Sequence, residues 1–241
     1  VLNYDEGISV SAETRKAIFE TADRLGYKKK IIYPKIDHVV LLYWVDSLDE
    51  LEAMYYEAIR DEVKKQAKKT KVQLSVVTKK EGLQAIPDGT QAFLAVGWFN
   101  RKELQQLYKM CGKGVFIDTS PDEKLFDAVR PNLDSFVTQM VDYFVEKGYR
   151  SIGFIGGYDR NIDSEKPVMD VREWSFRQSA GYYGVLNEEH IFIADEYSVV
   201  AGYETAKEMI SLDKVPSALC VASDTLAVGV LQALNEAGIQ I

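Results

Sequence analysis

The chain has 241 residues, of which 46% are hydrophobic, so it is long enough to bury the core of one large domain or of two medium ones. No run of about 18 apolar residues occurs, and the first residues lack the basic, apolar and small-residue regions of a secretory leader, so we expect a cytoplasmic protein. The net charge of -8 argues against a chain that coats nucleic acid over its whole surface.

The charge is divided unevenly along the chain. Residues 1–36 carry seven basic and five acidic side chains, a net charge of +2, which leaves -10 for residues 37–241. Five basic side chains fall in a stretch without an acidic one: Arg24, Lys28, Lys29, Lys30 and Lys35. The sequence therefore predicts a basic head joined to an acidic body.

Residues 1–36 contain one strongly helical stretch. The opening letters, VLNYDEGIS, are typical of the end of a helix followed by a loop. In VSAETRKAIFETADRLGY, residues 10–27, Ser11 and Thr14 mark a helix start, an apolar stripe follows at helical spacing, and Gly26 marks the end. A single amphipathic helix has nothing to pack against, so we expect it to fray or to borrow a partner.

From His38 onwards, apolar strand patterns alternate with helical patterns. The predicted strands are HVVLLYW, VQLSVVT, AFLAVGW, KGVFIDT and FDAVRP in a first series, and SIGFIGG, HIFIADE and SALCVAS in a second. The predicted helices are DELEAMYYEAIRDEVKKQAKK, RKELQQLYKMC, DSFVTQMVDYFVEKG, a segment around 170–183, AGYETAKEMISL and DTLAVGVLQALNEAG. This order predicts an α/β protein with two parallel sheets covered on both faces, which meet near Pro131.

Motifs for catalysis and for cofactor binding are scarce. The glycines of GFIGG lack the spacing of a dinucleotide loop, no GxxxxGK[ST] occurs, and neither His38 nor His190 stands beside a nucleophile motif. Cys111 and Cys220 lie far apart among apolar residues, which favours two buried thiols. We therefore expect no enzyme activity, no cofactor and no metal site.

Polar and aromatic residues follow several predicted strands, at the edge where doubly wound sheets bind ligands. They are Trp44, Asp46, Trp98, Asp118, Ser223 and Asp224, and Arg172 opens a helix after the FIGG strand. A carboxylate and a guanidinium bind vicinal hydroxyls and aromatic faces stack on sugar rings, so this composition is typical of a sugar site. Plainer roles stay open: Ser223 or Asp224 as a helix cap, Trp44 in the core, and Arg172 as an ion-pair partner of Asp170.

Several stretches resemble the LacI/GalR family of bacterial transcriptional repressors. VSAETRKAIFETADRLGY resembles VSxxTRxxVxxAxxxLGY, which closes the family's helix-turn-helix head, and VLN resembles the end of its recognition helix. GVFID, VDYFVEKGYRSIGFIGG, VREWSF and ASDTLAVGVLQAL resemble the family's VVFID, LxxxGHxxIGFIGG, RxxGF and NDxxAxG stretches, in the same order. This resemblance favours a sugar-responsive repressor over two alternatives, a solute-binding protein of a sugar transporter and a sugar-modifying enzyme.

The resemblance implies a periplasmic-binding-protein-like fold of type I, with two doubly wound parallel-sheet lobes after the remnant of a helix-turn-helix head. The implied boundaries are 1–36 for the head and linker, 37–131 for the N-terminal lobe and 132–241 for a C-terminal lobe. We expect that C-terminal lobe to be unfinished at the final letters, GIQI, where another strand is due.

The effector site follows from the same resemblance together with the sugar-site composition. Asp118 and Arg172 are the implied contacts of sugar hydroxyls, and Ser223 stands where the family has asparagine. Trp44 and Trp98 complete the predicted site. The segments YW, ELEAMYYEAIR and DVREWSFRQ favour galactose or a galactoside as the effector, bound between the lobes.

Two partners besides the sugar are implied. Operator DNA is expected to meet Asn3, Lys28, Lys29 and Lys30, with the basic run supplying phosphate contacts rather than base contacts, because most of the reading head lies outside the sequence. A second copy of the chain is expected to pair through the helix that carries Met54, Tyr55, Ile59 and Val63.

Overall fold

The computed structural model of the protein describes residues 10–26, 36–45, 50–160, 166–212 and 215–240. The chain divides into two compact units, Val1–Ile36 and Asp37–Ile241. The residues expected to contact operator DNA, Asn3 and the three consecutive lysines from Lys28, lie outside the described ranges. No helix within those ranges combines the length and the apolar character needed to cross a membrane.

In the first unit, helix α1 spans Ala12–Arg24, as its sequence pattern predicted. The backbone N–H of Thr14 donates to the hydroxyl of Ser11 at 3.1 Å, which satisfies one of the free amides of the first turn. Gly26 follows in the left-handed region, with φ of 64°. None of the described α1 side chains is fully buried.

The first sheet of the second unit is fully parallel. Its strands are β1 (His38–Trp44), β2 (Gln73–Thr78), β3 (Ala92–Gly97), β4 (Gly114–Ile117) and β5 (Asp127–Val129), in the spatial order β2-β1-β3-β4-β5. Helix α2 (Glu50–Thr70) connects β1 to β2, and helix α3 (Arg101–Met110) connects β3 to β4. A short 3-10 helix, Leu83–Ala85, precedes β3.

Both faces of this sheet are covered because its strands are apolar on both sides. Val40, Phe93 and Phe116 pack on one face with Leu104 and Leu107 of α3. The opposite face packs against α2 through the sheet residues Leu41 and Val96 and the helix residues Tyr56, Ile59 and Val63. Ile59 and Val63 therefore face the sheet, whereas Met54 and Tyr55 of the same helix are exposed, and the dimer contact through α2 stays a prediction.

The second sheet has three parallel strands and one antiparallel strand. Strands β6 (Ile152–Arg160), β8 (Ile191–Ala194) and β9 (Ala218–Val221) are parallel, with β6 between the other two. Strand β7 (Pro167–Met169) runs antiparallel to the last residues of β6, so the prediction of an all-parallel sheet is wrong at this strand. Strand β8 pairs with β6 only up to Gly157, so the last residues of β6, Tyr158 to Arg160, are free to pair with β7.

Four helices accompany the second sheet: α4 (Leu133–Glu146), α5 (Val171–Tyr182), α6 (Val199–Ser211) and α7 (Asp224–Glu236). Phe154 and Cys220 pack with Phe176 of α5, and Ile155 packs with Met209 of α6 on a separate core. A second short 3-10 helix, Glu188–His190, precedes β8.

The two cysteines differ in burial. Cys220 is buried, and its apolar setting raises the pKa of its thiol to about 12, whereas Cys111 is only partly buried. The prediction of two buried thiols therefore holds for Cys220 alone.

Helices α6 and α7 pack backbone to backbone. A Cβ on Gly229 would lie 2.0 Å from the carbonyl oxygen of Val199, and a Cβ on Gly202 would lie 2.3 Å from that of Leu226. Only glycine fits at such an approach. The two helices are therefore in direct backbone contact at these glycines, which fixes their separation.

Candidate functional site

The carboxyl ends of β3 and β4 are adjacent and carry two of the predicted site residues. Trp98 directly follows β3 and is half-buried, with its ring edge-on to Tyr56 at 5.5 Å between centroids. Asp118 directly follows β4 in the left-handed region, with φ of 75°, which aspartate tolerates better than most residues. Its backbone N–H donates to the carbonyl of Val129 at 2.8 Å, which fixes its backbone against β5.

Tyr55 joins this edge from α2. Its hydroxyl donates to Oδ1 of Asp118 at 2.6 Å, while its side chain remains 48% exposed. Burial raises the pKa of Tyr55, the hydrogen bond to Asp118 and the charge of Asp118 raise it further, and the positive charge of Arg172 opposes them. The charges of Asp118 and Arg172 therefore act in opposite directions on the pKa of Tyr55.

Arg172 is held in a network at the start of α5. Its Nε and Nη2 donate to Oδ1 and Oδ2 of Asp170 at 2.8 and 2.6 Å, and its Nη1 donates to the carbonyl of Ala222 at 2.9 Å. The ring of Tyr197 lies 4.5 Å from the guanidinium carbon, and the Tyr197 hydroxyl donates to Oδ2 of Asp170 at 3.0 Å. The pairing with Asp170 confirms the plainer role that the sequence left open for Arg172.

The network keeps both charged groups ionised. Asp170 is only 4% exposed, and this burial acts to raise its pKa, but the hydrogen bonds and charge of Arg172 and the hydrogen bond of Tyr197 bring it below the ordinary value. Burial acts to lower the pKa of Arg172, and its contacts with Asp170 more than offset that effect. Three of the five guanidinium N–H bonds have acceptors among the described residues, so two are unused there.

Ser223 lies beside this network as the N-cap of α7. Its hydroxyl oxygen accepts from the backbone N–H of Leu226 at 3.2 Å, and the preceding residue, Ala222, supplies the carbonyl that binds Arg172. Ser223 thus performs the capping role, and the alternative of Asp224 as the cap is wrong because Asp224 is already the first residue of the helix. The hydroxyl hydrogen of Ser223 stays available for donation.

Trp44 is a core residue and not part of the site. It is 1% exposed, its ring stacks on Phe99 at 5.0 Å, and its indole N–H donates to Oε1 of Glu103 at 2.9 Å. A ring covered in this way cannot stack on a sugar, so the prediction for Trp44 is wrong. Asp46, two residues later, lies outside the described residues.

Three residues of the site were not predicted to act there. The sequence predicts Asp170 only as an ion-pair partner and Tyr55 only as part of a dimer surface, and it predicts no role for Tyr197. Tyr197 lies three residues after β8, so its position after a parallel strand is a signal that could have found it. No group of three or more His, Cys, Asp and Glu side chains in the described ranges is arranged to hold a metal ion.

The fold defines the class of protein. Residues 141–241 match the family model of the periplasmic binding protein-like domain. Over 97% of this chain and 77% of the other, the structure is similar to the Lac repressor dimer bound to operator and the anti-inducer ONPF, with a TM-score of 0.67 and 14% identity. It is also similar to the regulator CelR in complex with cellobiose, with a TM-score of 0.66 and 19% identity over 97% of this chain and 72% of CelR. The predicted two-sheet, periplasmic-binding-protein-like fold is confirmed.

Relatives in sequence place the chain within that class. It is 42% identical over 243 residues to the HTH-type transcriptional regulator GanR of Bacillus subtilis (strain 168), covering all of this chain and 74% of GanR. It is 32% identical over 249 residues to the HTH-type transcriptional regulator LacR of Lactobacillus helveticus, covering all of this chain and 73% of LacR. The chain belongs to the LacI/GalR family of transcriptional regulators. This membership excludes the alternative of a transporter's solute-binding protein.

Proposed function

We propose that the chain is the effector-binding and dimerising part of a sugar-responsive repressor, in which a bound sugar alters the affinity for operator DNA. One observation carries the proposal: the hydroxyl of Tyr55 donates to Asp118 at 2.6 Å, at the carboxyl end of β4, where doubly wound sheets bind ligands. The charge of Arg172 acts on the same tyrosine hydroxyl and opposes that of Asp118. A sugar hydroxyl has the same hydrogen-bonding capacity as the tyrosine hydroxyl found there.

The effector we propose is galactose or a galactoside. Asp118 accepts from sugar hydroxyls, the two remaining N–H bonds of Arg172 donate to them, and Ser223 lies one residue from the carbonyl that holds Arg172. The half-buried ring of Trp98 offers an aromatic face at the same edge of the first sheet. The resemblance of the YW and DVREWSFRQ segments to galactose and β-galactoside repressors supports this choice of sugar.

Regulation by binding alone, in the cytoplasm, is part of the proposal, since the relatives are transcriptional regulators and not enzymes. Operator DNA is the partner of the complete protein. The basic run from Arg24 to Lys35 supplies phosphate contacts, which position a protein on DNA without reading the sequence. Asn3 and Lys28 to Lys30 are assigned to this surface from the sequence.

Galactosides should stabilise the protein against heat. A ligand at about 100 times its dissociation constant adds about 2.7 kcal/mol to the stability of the folded state. Thermal unfolding with galactose, lactose, glucose, cellobiose and their phosphates measures the effect for each sugar. We expect the largest rise in Tm with galactose or lactose. A rise only with another sugar would refute the choice of effector, and no rise with any sugar would refute the proposed function.

We also propose a homodimer that pairs through α7. Val228 and Leu231 are one turn apart on this helix, and both remain exposed although α7 packs on α6. The structurally similar Lac repressor is a dimer. Sedimentation equilibrium at tens of micromolar should give twice the chain mass, and Leu231→Asp should shift the protein to monomer. Leu212→Asp is the matched control, since Leu212 at the end of α6 is equally 50% exposed. A monomeric wild type, or equal effects of both variants, would contradict this interface.

A further inference from the structure

The hydrogen bond between Tyr55 and Asp118 uses an acceptor that the proposed effector also needs. The bond is short, 2.6 Å, and joins a phenol to a carboxylate, which makes it one of the stronger kinds of hydrogen bond. A carboxylate binds a pair of adjacent hydroxyls best when both of its oxygens are available. One of the oxygens of Asp118 already accepts from a group with the hydrogen-bonding character of a sugar hydroxyl.

We propose that Tyr55 is an intramolecular competitor of the effector, whose hydroxyl the sugar must displace from Asp118. The inference rests on the proposed function and deepens it, because it names a residue that sets the affinity of that site. In this role Tyr55 is a positioning residue that acts through Asp118. It makes the site less sensitive to sugar than the same site would be without the phenol hydroxyl.

Tyr55 is the partner that moves. The backbone of Asp118 is fixed by its hydrogen bond to Val129 and by its place at the end of β4. The side chain of Tyr55 is 48% exposed, so its hydroxyl can turn to water, which replaces the lost hydrogen bond. The neighbouring ring of Tyr56 lies edge-on to Tyr55 at 5.1 Å and is buried, so it holds this part of α2 in place while the Tyr55 side chain rotates.

The competition has a measurable size. The apparent dissociation constant equals the intrinsic constant divided by the fraction of molecules in which the site is free to bind. If Tyr55 occupies Asp118 in about two thirds to nine tenths of molecules, removing its hydroxyl tightens sugar binding by about threefold to tenfold. A tyrosine that merely lines the site as a ligand would change affinity in the opposite direction, because its loss would remove a contact.

Calorimetric titration of lactose and galactose into wild-type protein and into Tyr55→Phe tests the inference. We expect Tyr55→Phe to bind about threefold to tenfold more tightly. The matched control is Tyr203→Phe, which removes another tyrosine hydroxyl that donates to a carboxylate, that of Glu236 at 2.7 Å, on helices α6 and α7. The control should bind as wild type does. Unchanged or weaker binding by Tyr55→Phe would overturn the inference.

A second measurement needs no sugar. In protein labelled with 13C at tyrosine Cζ, the signal of Tyr55 should shift when Asp118→Asn removes the charged acceptor, and the signal of Tyr203 should not. An unshifted Tyr55 signal would overturn the inference even if sugars bind. If this shift is seen but neither wild type nor Tyr55→Phe binds any sugar, the proposed function fails, and the competition fails with it. If sugars bind wild type and Tyr55→Phe equally, the competition alone fails.

Discussion

Arg172→Ala should lower the free energy of unfolding by about 3 to 5 kcal/mol, because it leaves the buried carboxylate of Asp170 without its charged partner. The same change should weaken effector binding by about tenfold to a few hundredfold, since charge-assisted hydrogen bonds contribute about 1.5 to 3 kcal/mol each. Urea unfolding measures the first effect. Calorimetric titration of the folded variant with lactose measures the second.

The double variant Asp170→Asn/Arg172→Ala separates the two effects. Removing the buried charge should recover part of the lost stability, whereas the affinity for lactose should stay low because the guanidinium is still missing. Arg150→Ala, which truncates an exposed arginine, is the control for the loss of a positive charge. Unchanged affinity in folded Arg172→Ala would remove Arg172 from the effector site and leave it with a structural role only.

The contribution of Asp170 to the pH dependence of stability should have opposite signs in the wild type and in Arg172→Ala. In the wild type the pKa of folded Asp170 is below its ordinary value of 3.8, so the stability it contributes is present above that value and is lost as the pH falls through the folded pKa. In Arg172→Ala, burial remains without the opposing guanidinium, so the pKa of folded Asp170 rises above the ordinary value. The variant should therefore become more stable, relative to wild type, as the pH is lowered from 7 to 5.

Asp118→Asn should weaken lactose binding by about tenfold or more while the free energy of unfolding stays within about 0.5 kcal/mol. Asparagine tolerates the left-handed backbone of this position as aspartate does, so the change isolates the chemistry of the side chain. It replaces one acceptor oxygen by a donor and removes the negative charge that the proposed site offers to sugar hydroxyls. Calorimetric titration and urea unfolding give the two quantities.

In the full-length protein, Asp118→Asn should still bind operator DNA but should not release it when lactose is added. An effector shifts an equilibrium only by its difference in affinity for the two states, and this variant loses the affinity. Gel retardation with and without lactose measures release. Asp127→Asn, at the exposed start of β5, is the matched control and should release as wild type does. Normal release by Asp118→Asn would refute its role in sensing the sugar.

The sequence predicted the parallel strands well, because a strand buried on both faces needs an unbroken apolar run, as in HVVLLYW. It missed β7, because the three residues Pro167–Met169 form a strand only through pairing with the extended end of β6. It placed Trp44 wrongly, since position after a strand does not show which face a ring takes. Trp44 is the last residue of β1 and Trp98 follows the neighbouring strand β3, but only Trp44 is covered, by Phe99 and by the hydrogen bond to Glu103.

Chain position also failed to predict which residues pair across the site. The contact of Arg172 with Asp170 is local and was foreseen as a helix-start pair. The bond of Tyr55 with Asp118 joins residues 63 positions apart. The apolar spacing of α2 did not distinguish Tyr55 from Ile59. In the structure Ile59 packs against the sheet while the hydroxyl of Tyr55 reaches the end of β4. Long-range polar contacts of this kind depend on the final geometry and not on periodicity.

The left-handed backbone at Asp118 has an evolutionary consequence. With φ of 75°, this position accepts glycine, asparagine and aspartate at little cost, and a branched or bulky residue only with strain. Of these three, only aspartate presents two acceptor oxygens. Descendants of this regulator that acquire a new inducer are therefore expected to keep Asp118 and to vary neighbours on ordinary backbone, such as Tyr55 and Trp98. In the proposed site, the constrained residue keeps the acceptor for hydroxyl groups, and substitutions at the unconstrained residues change which sugar is bound.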